Sequence, residues 1–506
     1  MDSVSKIVQS AIRPDSLPHP PFFKDHHVTG APVLPAVEAM ENLAALSRKQ
    51  YPGLTPREIS AAAFDKFLFL DPGAQNTAIH SKLERLPDGR IQAVLRTKTQ
   101  APKAAITRTK EHATMTIGPV SGPAPTLPLD LAAAPEGICR MVAPSAVYAE
   151  LVPFGRAYRN IVDTLFLGSD GALARVGSPQ PPDDRKDLVL GSPYPLDAAF
   201  HTACAWGQYA RKIVAFPVAL DHRWVMQPTN PQSTYFARAC PRDISGDILI
   251  YDIYLYDRQG NLAEVSSGVR MRDISGGRTQ PPGWIKKPAV ESRLAGIAKD
   301  VQQMAVIELA AVAPFAEHAL SPQEIESYGP MAARRKRSYL GARLALKRIS
   351  RALSDDMELR APTEINTVLP DNPRPVCPVA GHTKTPYCSV SHDSRFAVAV
   401  AADRPIGIDV EDKAIQALRN QRQFIDASEE TLLRGFAEGE AAAVLRIWSA
   451  KEAAAKALDV PLAQAWEQVR VTRLGVETSR LQVRDLGSGR VKPAVVDAHL
   501  FTLFGL

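Results

Sequence analysis

The sequence predicts an α+β fold with more than one hydrophobic core. Extended segments outnumber helical ones in the first half of the chain. One long helical pattern accompanies each set of them, and stretches rich in Pro and Gly divide the chain into blocks. A length of 506 residues exceeds one ordinary domain, so roughly two to four are expected. An apolar fraction of 45% is ample for packed cores.

In the first block, Leu34–Arg48 carries Val37, Met40, Leu43 and Ala44 at helical spacing, and a helix is predicted there. Phe64–Leu70, Ile91–Thr97 and Ala105–Ile117 fit strands. Gly118–Gly137, rich in Pro and Ala, reads as a linker. In the second block, Val152–Arg159 is an extended turn with aromatics, and Leu196–Ile213 fits a helix. Thr234–Ala239, Asp247–Tyr256 and Leu262–Met271 fit strands, the last with Val265, Val269 and Met271 on alternating positions. Ile274–Gly283 reads as a second linker, and Glu291–Lys299 connects into the last block. The expected domains are 1–118, 138–275 and 300–506. The first two repeat one order of elements, which suggests an internal duplication.

No apolar run is long enough to span a bilayer, and Met1–Asp15 lacks the apolar core of a signal peptide. Five cysteines (139, 204, 240, 377 and 388) are scattered without CxxC spacing. They read as reduced thiols in a cytoplasmic protein without structural zinc. A net charge of +6 suits anionic partners but is too weak to argue for nucleic acid.

The last block holds the most informative stretch. In Gly407-Ile408-Asp409-Val410-Glu411 the strand period of two places both carboxylates on one face. Trp448-Ser449-Ala450-Lys451-Glu452-Ala453-Ala454-Ala455-Lys456 reads as a helix, with Glu452 and Lys456 sharing a face. Three carboxylates with lysines can hold a hard divalent cation against a diphosphate, the usual manner of magnesium.

These two segments resemble the Sfp-type 4′-phosphopantetheinyl transferases. The resemblance extends to Tyr387-Cys388-Ser389-Val390-Ser391-His392-Asp393, to Asn372-Pro373-Arg374-Pro375 and to Arg337-Ser338-Tyr339-Leu340-Gly341, and covers about Val301 to Leu506. It implies a pseudo-twofold α+β domain in which Asp409, Glu411 and Glu452 ligate Mg2+. Coenzyme A is the implied co-substrate, and an acyl carrier protein supplies the serine nucleophile. Glu452 is the implied base, and Lys451 and Lys456 offset phosphate charge. Ser391, His392, Arg374 and Arg337 are expected to hold the nucleotide end. Arg334, Arg335 and Lys336 read as a solvated helix face. No equivalent stands around Ser321–Ser327 for the lysines that family members often carry there.

The first half contains a second constellation. His26, Gly30 and Pro35 make an H-x-x-x-G-x-x-x-x-P pattern, and Asp197 and His201 make D-x-x-x-H on a helix. Phe154-Gly155-Arg156-Ala157-Tyr158 lies between them. Together they resemble the double-hotdog dehydratase domains of polyketide and related fatty acid synthases, over roughly Met1 to Asp273. That resemblance implies that His26 and Asp197 face each other across an acyl tunnel. Dehydrating a 3-hydroxyacyl thioester needs a base for the Cα proton and an acid for the departing hydroxyl. A histidine near its native pKa suits the first role, and a carboxylic acid kept protonated by apolar neighbours suits the second. His201, one turn beyond Asp197, is placed to bond it or the substrate hydroxyl. Gly30 is expected to allow close backbone approach, with a nearby amide polarising the thioester carbonyl.

The expectation is a bifunctional component of a polyketide or polyunsaturated-type synthase. One part installs the phosphopantetheine arm, and the other dehydrates acyl thioesters carried on it. An isomerase or cyclase, or a non-catalytic scaffold that docks a carrier, are the alternatives for the hotdog half.

Overall fold

The computed structural model describes residues 10–100, 107–178, 185, 188–285, 291–369, 372–378, 386–412 and 417–506. The chain forms two compact units. The first comprises residues 1–127 and 140–287, and the second residues 128–139 and 288–506.

Unit 1 is one antiparallel sheet of twelve strands with two long helices. The strands are β1 (Ser10–Pro18), β2 (Glu58–Ala63), β3 (Asn76–Arg85), β4 (Ile91–Gln100), β5 (Thr107–Gly118), β6 (Arg140–Val142), β7 (Leu165–Gly168), β8 (Gly171–Gly177), β9 (Phe216–Val225), β10 (Thr234–Ser245), β11 (Ile248–Tyr256) and β12 (Leu262–Arg272). Their spatial order is β1-β3-β4-β5-β2-β9-β12-β11-β10-β8-β7-β6. The order from β1 to β2 is repeated in reverse from β9 to β8, so the sheet is two copies of one motif. They join through β2 and β9, where Ala63 pairs with Ala219 and Ser60 with His222. This bears out the duplication suggested by element order and gives the double-hotdog arrangement.

Each copy holds one helix: α1 (Ala36–Gln50) in the first and α2 (Pro193–Arg211) in the second. Helix α1 buries Val37, Met40, Leu43 and Ala44, the stripe its spacing predicted. Helix α2 is buried from Pro193 to Tyr209 and is apolar nearly all round, as a helix enclosed by sheet must be. Lys212 ends it in the left-handed region at φ 59°.

One expected element moves. The strand expected at Phe64–Leu70 lies earlier, at Glu58–Ala63, and Phe64–Leu70 is an irregular extended loop. Its backbone is tied to neighbours at single points, Phe64 N to Val218 O and Leu70 N to Pro32 O. The Ala-rich strand Glu58-Ile59-Ser60-Ala61-Ala62-Ala63 has one β-branched residue, Ile59, and no aromatic, whereas the loop carries Phe64, Phe67 and Phe69. Of the strand expected at Ala105–Ile117, Ala105 and Ile106 lie outside the described residues.

Unit 2 contains two larger sheets with a long helix on each, and a two-stranded ribbon of Val368–Leu369 with Asn372–Pro375. The three-stranded sheet has the order β13 (Gln303–Glu308), β15 (Phe396–Ala402), β14 (Tyr387–His392), and α3 (Ala333–Leu353) packs on it. The five-stranded sheet runs β16 (Ile406–Asp412), β20 (His499–Gly505), β19 (Gly487–Val496), β18 (Ser479–Val483), β17 (Val469–Arg473), with α4 (Glu440–Leu458) against β16 and β20. Strands β14 and β16 meet side by side, where Ser389 and Ser391 hydroxyls accept from the Ile408 and Val410 amides at 3.1 and 3.3 Å.

The stretch expected as a first linker is only partly one. Residues 128–139 belong to unit 2. Leu129–Ala132 forms a short helical turn, and Asp130 is fully buried against Arg351. Glu136 bridges Ile307 on the edge of the three-stranded sheet, and Ile138 joins a core with Val306 and Phe396. The chain therefore leaves unit 1 after Leu127, completes part of unit 2, and returns at Arg140. Among the described residues no helix is long and apolar enough to cross a membrane.

Candidate active sites

In unit 1, the short hairpin His27–Val28/Ala31–Pro32 presents His26 at its foot, and α2 supplies Asp197 and His201. Although 171 positions apart in the chain, His26 Nε2 and Asp197 Oδ1 come within 4.0 Å. His26 Nδ1 is 3.2 Å from the Val33 carbonyl oxygen. A carbonyl only accepts, so Nδ1 carries the proton and the Nε2 lone pair faces Asp197. Burial lowers the His26 pKa to about 4, with Asp197 opposing. This corrects the expectation of a histidine near its native pKa, because the ring is packed against Phe154 at 4.4 Å and Tyr158 at 5.1 Å. The consequence favours base chemistry, since the ring is neutral at pH 7.

His201 Nε2 stands 3.1 Å from Asp197 Oδ2, yet off the line a hydrogen bond needs, and both buried atoms lack a hydrogen-bond partner. Phe154 lies 5.0 Å from the His201 ring as well, so its ring contacts both histidines. Asp25 fixes the Phe154 segment, its carbonyl accepting from Gly155 N at 2.7 Å and its Oδ2 from Ala157 N at 2.9 Å. A largely apolar cavity runs from His26, Asp197 and His201 past Phe64, Leu95 and Phe216 to Met271. The loop Phe64–Leu68, which sequence pattern misassigned as strand, thus lines the tunnel.

Gly30 is not at this cavity. It is exposed at the hairpin tip, where Thr29 and Gly30 both have positive φ, 51° and 81°. Its role is the primed turn, which asks for residues tolerant of that region. The expected close approach to substrate is therefore withdrawn.

In unit 2, β16 places Asp409 and Glu411 on one face, and α4 brings Glu452 over them. One oxygen from each of the three carboxylates lies within 4.8 Å of the others. The close approach depends on Gly407, where a Cβ would collide with the Ala453 carbonyl of α4. Asp409 is buried and accepts from Ser391 Oγ at 2.9 Å, Ser449 Oγ at 2.8 Å and Lys456 Nζ at 2.8 Å. Burial opposes its ionisation, but Lys456 and these donors hold it below the usual range. Glu411 accepts from Trp448 Nε1 at 3.0 Å. Burial, then the charge of Asp409, pushes Glu411 up to about 7 and Glu452 up to about 8. Acids crowded until they resist ionising are what a divalent cation relieves, and an all-oxygen set suits a hard ion. The donor set fits magnesium.

The other expected nucleotide contacts divide. Lys456, Arg374 and His392 border clefts that adjoin Glu452. Arg374 also pairs with Asp459. Burial and the Lys456 charge lower the His392 pKa. Arg337 is exposed and lines a further cleft with His392 and Glu411. Ser391 lines the cleft of His392, Glu452 and Lys456 as well. Its hydroxyl donates to Asp409 and accepts from Lys456 at 2.9 Å and from the Val410 amide, so it also holds Asp409. Lys451 is a correction. It is 1% exposed and donates to Phe424 O at 2.5 Å and to the buried Glu429 at 2.8 Å. It is one residue from Glu452, about 100° round the helix, and faces the core rather than the cleft.

Arg335 lines both clefts beside His392. It shares the second cleft with Gln323, Glu326 and Ser327, whereas by sequence it read only as a solvated helix face. Ser449 and Trp448, which orient Asp409 and Glu411, were also passed over. Their signal was their position, one turn before Glu452 and two before Lys456.

Residues 126–281 match the family model of the polyketide synthase dehydratase N-terminal domain, a range that includes helix α2 with Asp197 and His201. Residues 405–495 match the 4′-phosphopantetheinyl transferase superfamily, a range that includes all three carboxylates. The chain carries a dehydratase and a phosphopantetheinyl transferase. Solved structures similar to the dehydratase include a trans-AT polyketide synthase dehydratase domain from Brevibacillus brevis, at 18% identity and TM-score 0.45, covering 54% of this chain and 96% of that one. The dehydratase domain of PpsC from Mycobacterium tuberculosis is 21% identical with TM-score 0.41, covering 52% and 94%. No curated protein matches the chain.

Proposed function

We propose that the transferase moves 4′-phosphopantetheine from coenzyme A to a carrier-protein serine with Mg2+ held by Asp409, Glu411 and Glu452. The dehydratase then acts on 3-hydroxyacyl thioesters borne on that arm. The observation that carries the first reading is the convergence of three carboxylates within 4.8 Å beside Lys456. When bound, the metal supplies charge neutralisation for the diphosphate and polarises the phosphoryl group. Lys456 and Arg374 bind phosphate and nucleotide, Arg335 and His392 add to the positive wall, and Glu452 accepts the serine proton. Trp448, Ser449 and Ser391 hold the carboxylates in place.

For the dehydratase, the carrying observation is the approach of His26 Nε2 to Asp197 Oδ1 at the head of an apolar cavity. His26 takes the Cα proton, and protonated Asp197 gives its proton to the departing hydroxyl. The Cβ–O bond breaks, the Cα–Cβ double bond forms and water leaves. A proton passing from His26 to Asp197 resets the pair. The cavity wall favours an aliphatic acyl chain.

One experiment tests both. Candidate carriers are incubated with the chain, coenzyme A and Mg2+, then with the same carriers bearing 3-hydroxyacyl groups, and weighed by mass spectrometry. The expected results are gain of one phosphopantetheine and loss of one water. A carrier that gains nothing overturns the first reading, and hydroxyacyl carriers that never lose water overturn the second.

A further inference from the structure

Tyr148 is buried behind His201 and belongs to neither motif of the dehydratase site. The Ile161 amide donates to Tyr148 Oη at 2.8 Å, and Oη lies 3.3 Å from His201 Nδ1. Burial raises the phenol far above its ordinary range, so it keeps its proton. A backbone N–H already occupies an acceptor direction on Oη. Among the described contacts of that oxygen, His201 Nδ1 is the group able to accept the phenolic proton. Nδ1 then holds a lone pair, and the proton of the neutral imidazole is on Nε2, 3.1 Å from Asp197 Oδ2.

The geometry assigns Tyr148 as a positioning residue that locks His201 in the Nε2–H tautomer, so that His201 presents a donor to Asp197. The assignment rests on the dehydration proposed above. Its chemical use follows from the proton balance. Asp197 begins the step protonated and ends it as a carboxylate in a buried site. His26 ends it protonated on the other side. An Nε2–H standing 3.1 Å from the new carboxylate stabilises the charge that forms, whereas the opposite tautomer would set a lone pair beside it. The polar and ionisable groups that face the His201 ring are Asp197 and Tyr148, with His26 across Asp197 and the Cys204 thiol on the same cavity wall.

The test uses the full chain. In 15N-histidine-labelled protein at neutral pH, with His201→Gln supplying the assignment, the His201 signals should show Nδ1 unprotonated and Nε2 protonated. Tyr148→Phe should yield a mixture of tautomers and lower dehydration kcat by roughly tenfold, the worth of one hydrogen bond, with KM little changed. In the His201→Gln background the same substitution should cost less than about twofold, because the tautomer it controls is gone. A proton found on Nδ1 in the unsubstituted chain overturns the assignment, as does a Tyr148→Phe penalty that persists undiminished beside His201→Gln. The spectrum is read without turnover. A chain that dehydrates nothing would therefore refute the dehydratase reading separately from the tautomer.

Discussion

Arg351 of α3 and Asp130 form a buried bidentate pair, Nε to Oδ2 and Nη2 to Oδ1 both at 2.8 Å, across 221 positions of sequence. Arg351 also donates to the carbonyls of Met357, Glu358 and Arg360, so every part of its guanidinium is used. Nearby, Arg348 donates to the Ala134 carbonyl, and Ala313 N to Ala133 O at 2.7 Å. The transferase fold thus includes residues that the chain supplies between its two hotdog repeats.

The first prediction follows from that pair. Asp130→Ala leaves a buried guanidinium without its carboxylate, a loss of about 3–5 kcal/mol. The full chain should show an earlier unfolding transition, accompanied by loss of transferase activity on heating. A transferase cut from the chain near Glu291 lacks residues 128–139, and should be markedly less stable than the same piece with that segment fused back. Equal melting temperatures for the two pieces would show that the segment contributes little.

The second concerns magnesium and pH. Glu411 and Glu452 have pKa values raised above the unfolded value, to about 7 and about 8. Between about pH 4.5 and 8 the native state therefore holds more protons than the unfolded one, and their contribution to stability falls as pH rises. His26, lowered to about 4, works the opposite way but only below its unfolded value near 6.5. From pH 6.5 to 8.5 the carboxylates give a falling slope, and His499, raised by its bond to Asp393, adds to it in the same direction. Without metal, melting of unit 2 should fall across that window, and Mg2+ should restore it with release of protons. Calorimetric titration in two buffers of different ionisation enthalpy measures that release. Asp409→Ala and Glu452→Gln should each abolish carrier modification while leaving the chain folded.

Lys451 separates a phosphate contact from a fold contact. Lys451→Met removes the partner of buried Glu429, which also accepts from Val471 N at 2.7 Å. The variant should melt earlier, while its KM for coenzyme A at a temperature where it is folded stays within about twofold. Lys456→Met should instead raise that KM and depress kcat, since Lys456 reaches Asp409 and the cleft. A large KM effect from Lys451→Met would return it to the nucleotide site.

Much of this was legible because side-chain period and chemistry agree. Asp409 and Glu411 alternate with buried Ile408 and Val410, and α1 buries the stripe that its spacing marks. What escaped was set by tertiary contacts. Nothing local marks Asp130 as the partner of Arg351. Phe64–Leu70 has strand composition but serves as tunnel wall, and Ala-rich Glu58–Ala63 becomes a strand because β5 and β9 flank it. Lys451 lay within a motif whose resemblance named it, while helix geometry turned it away.

The last prediction concerns the dehydratase base. His26 acts as a base only when neutral, and burial holds its pKa near 4. Dehydration kcat/KM should therefore stay level from neutral pH down to about pH 5 and fall only below that, where an exposed histidine would already be losing activity near 6.5. Phe154 maintains the burial by packing against the ring, its centroid at 4.4 Å. Phe154→Ala should admit water, let the pKa rise and move the acid limb upward. His26→Ala removes the base itself and should cost about 10²–10⁴-fold, with phosphopantetheine transfer untouched. Asp197→Asn keeps the shape but has no acidic proton to give, and should cost a similar factor. His201→Gln should be milder, because an amide can still donate toward Asp197. The measurement is the rate of enoyl formation on a 3-hydroxyacyl carrier across pH 4 to 8. An acid limb centred near 6.5 in the unsubstituted chain would mean that the base is a solvated histidine, and would remove His26 from the role.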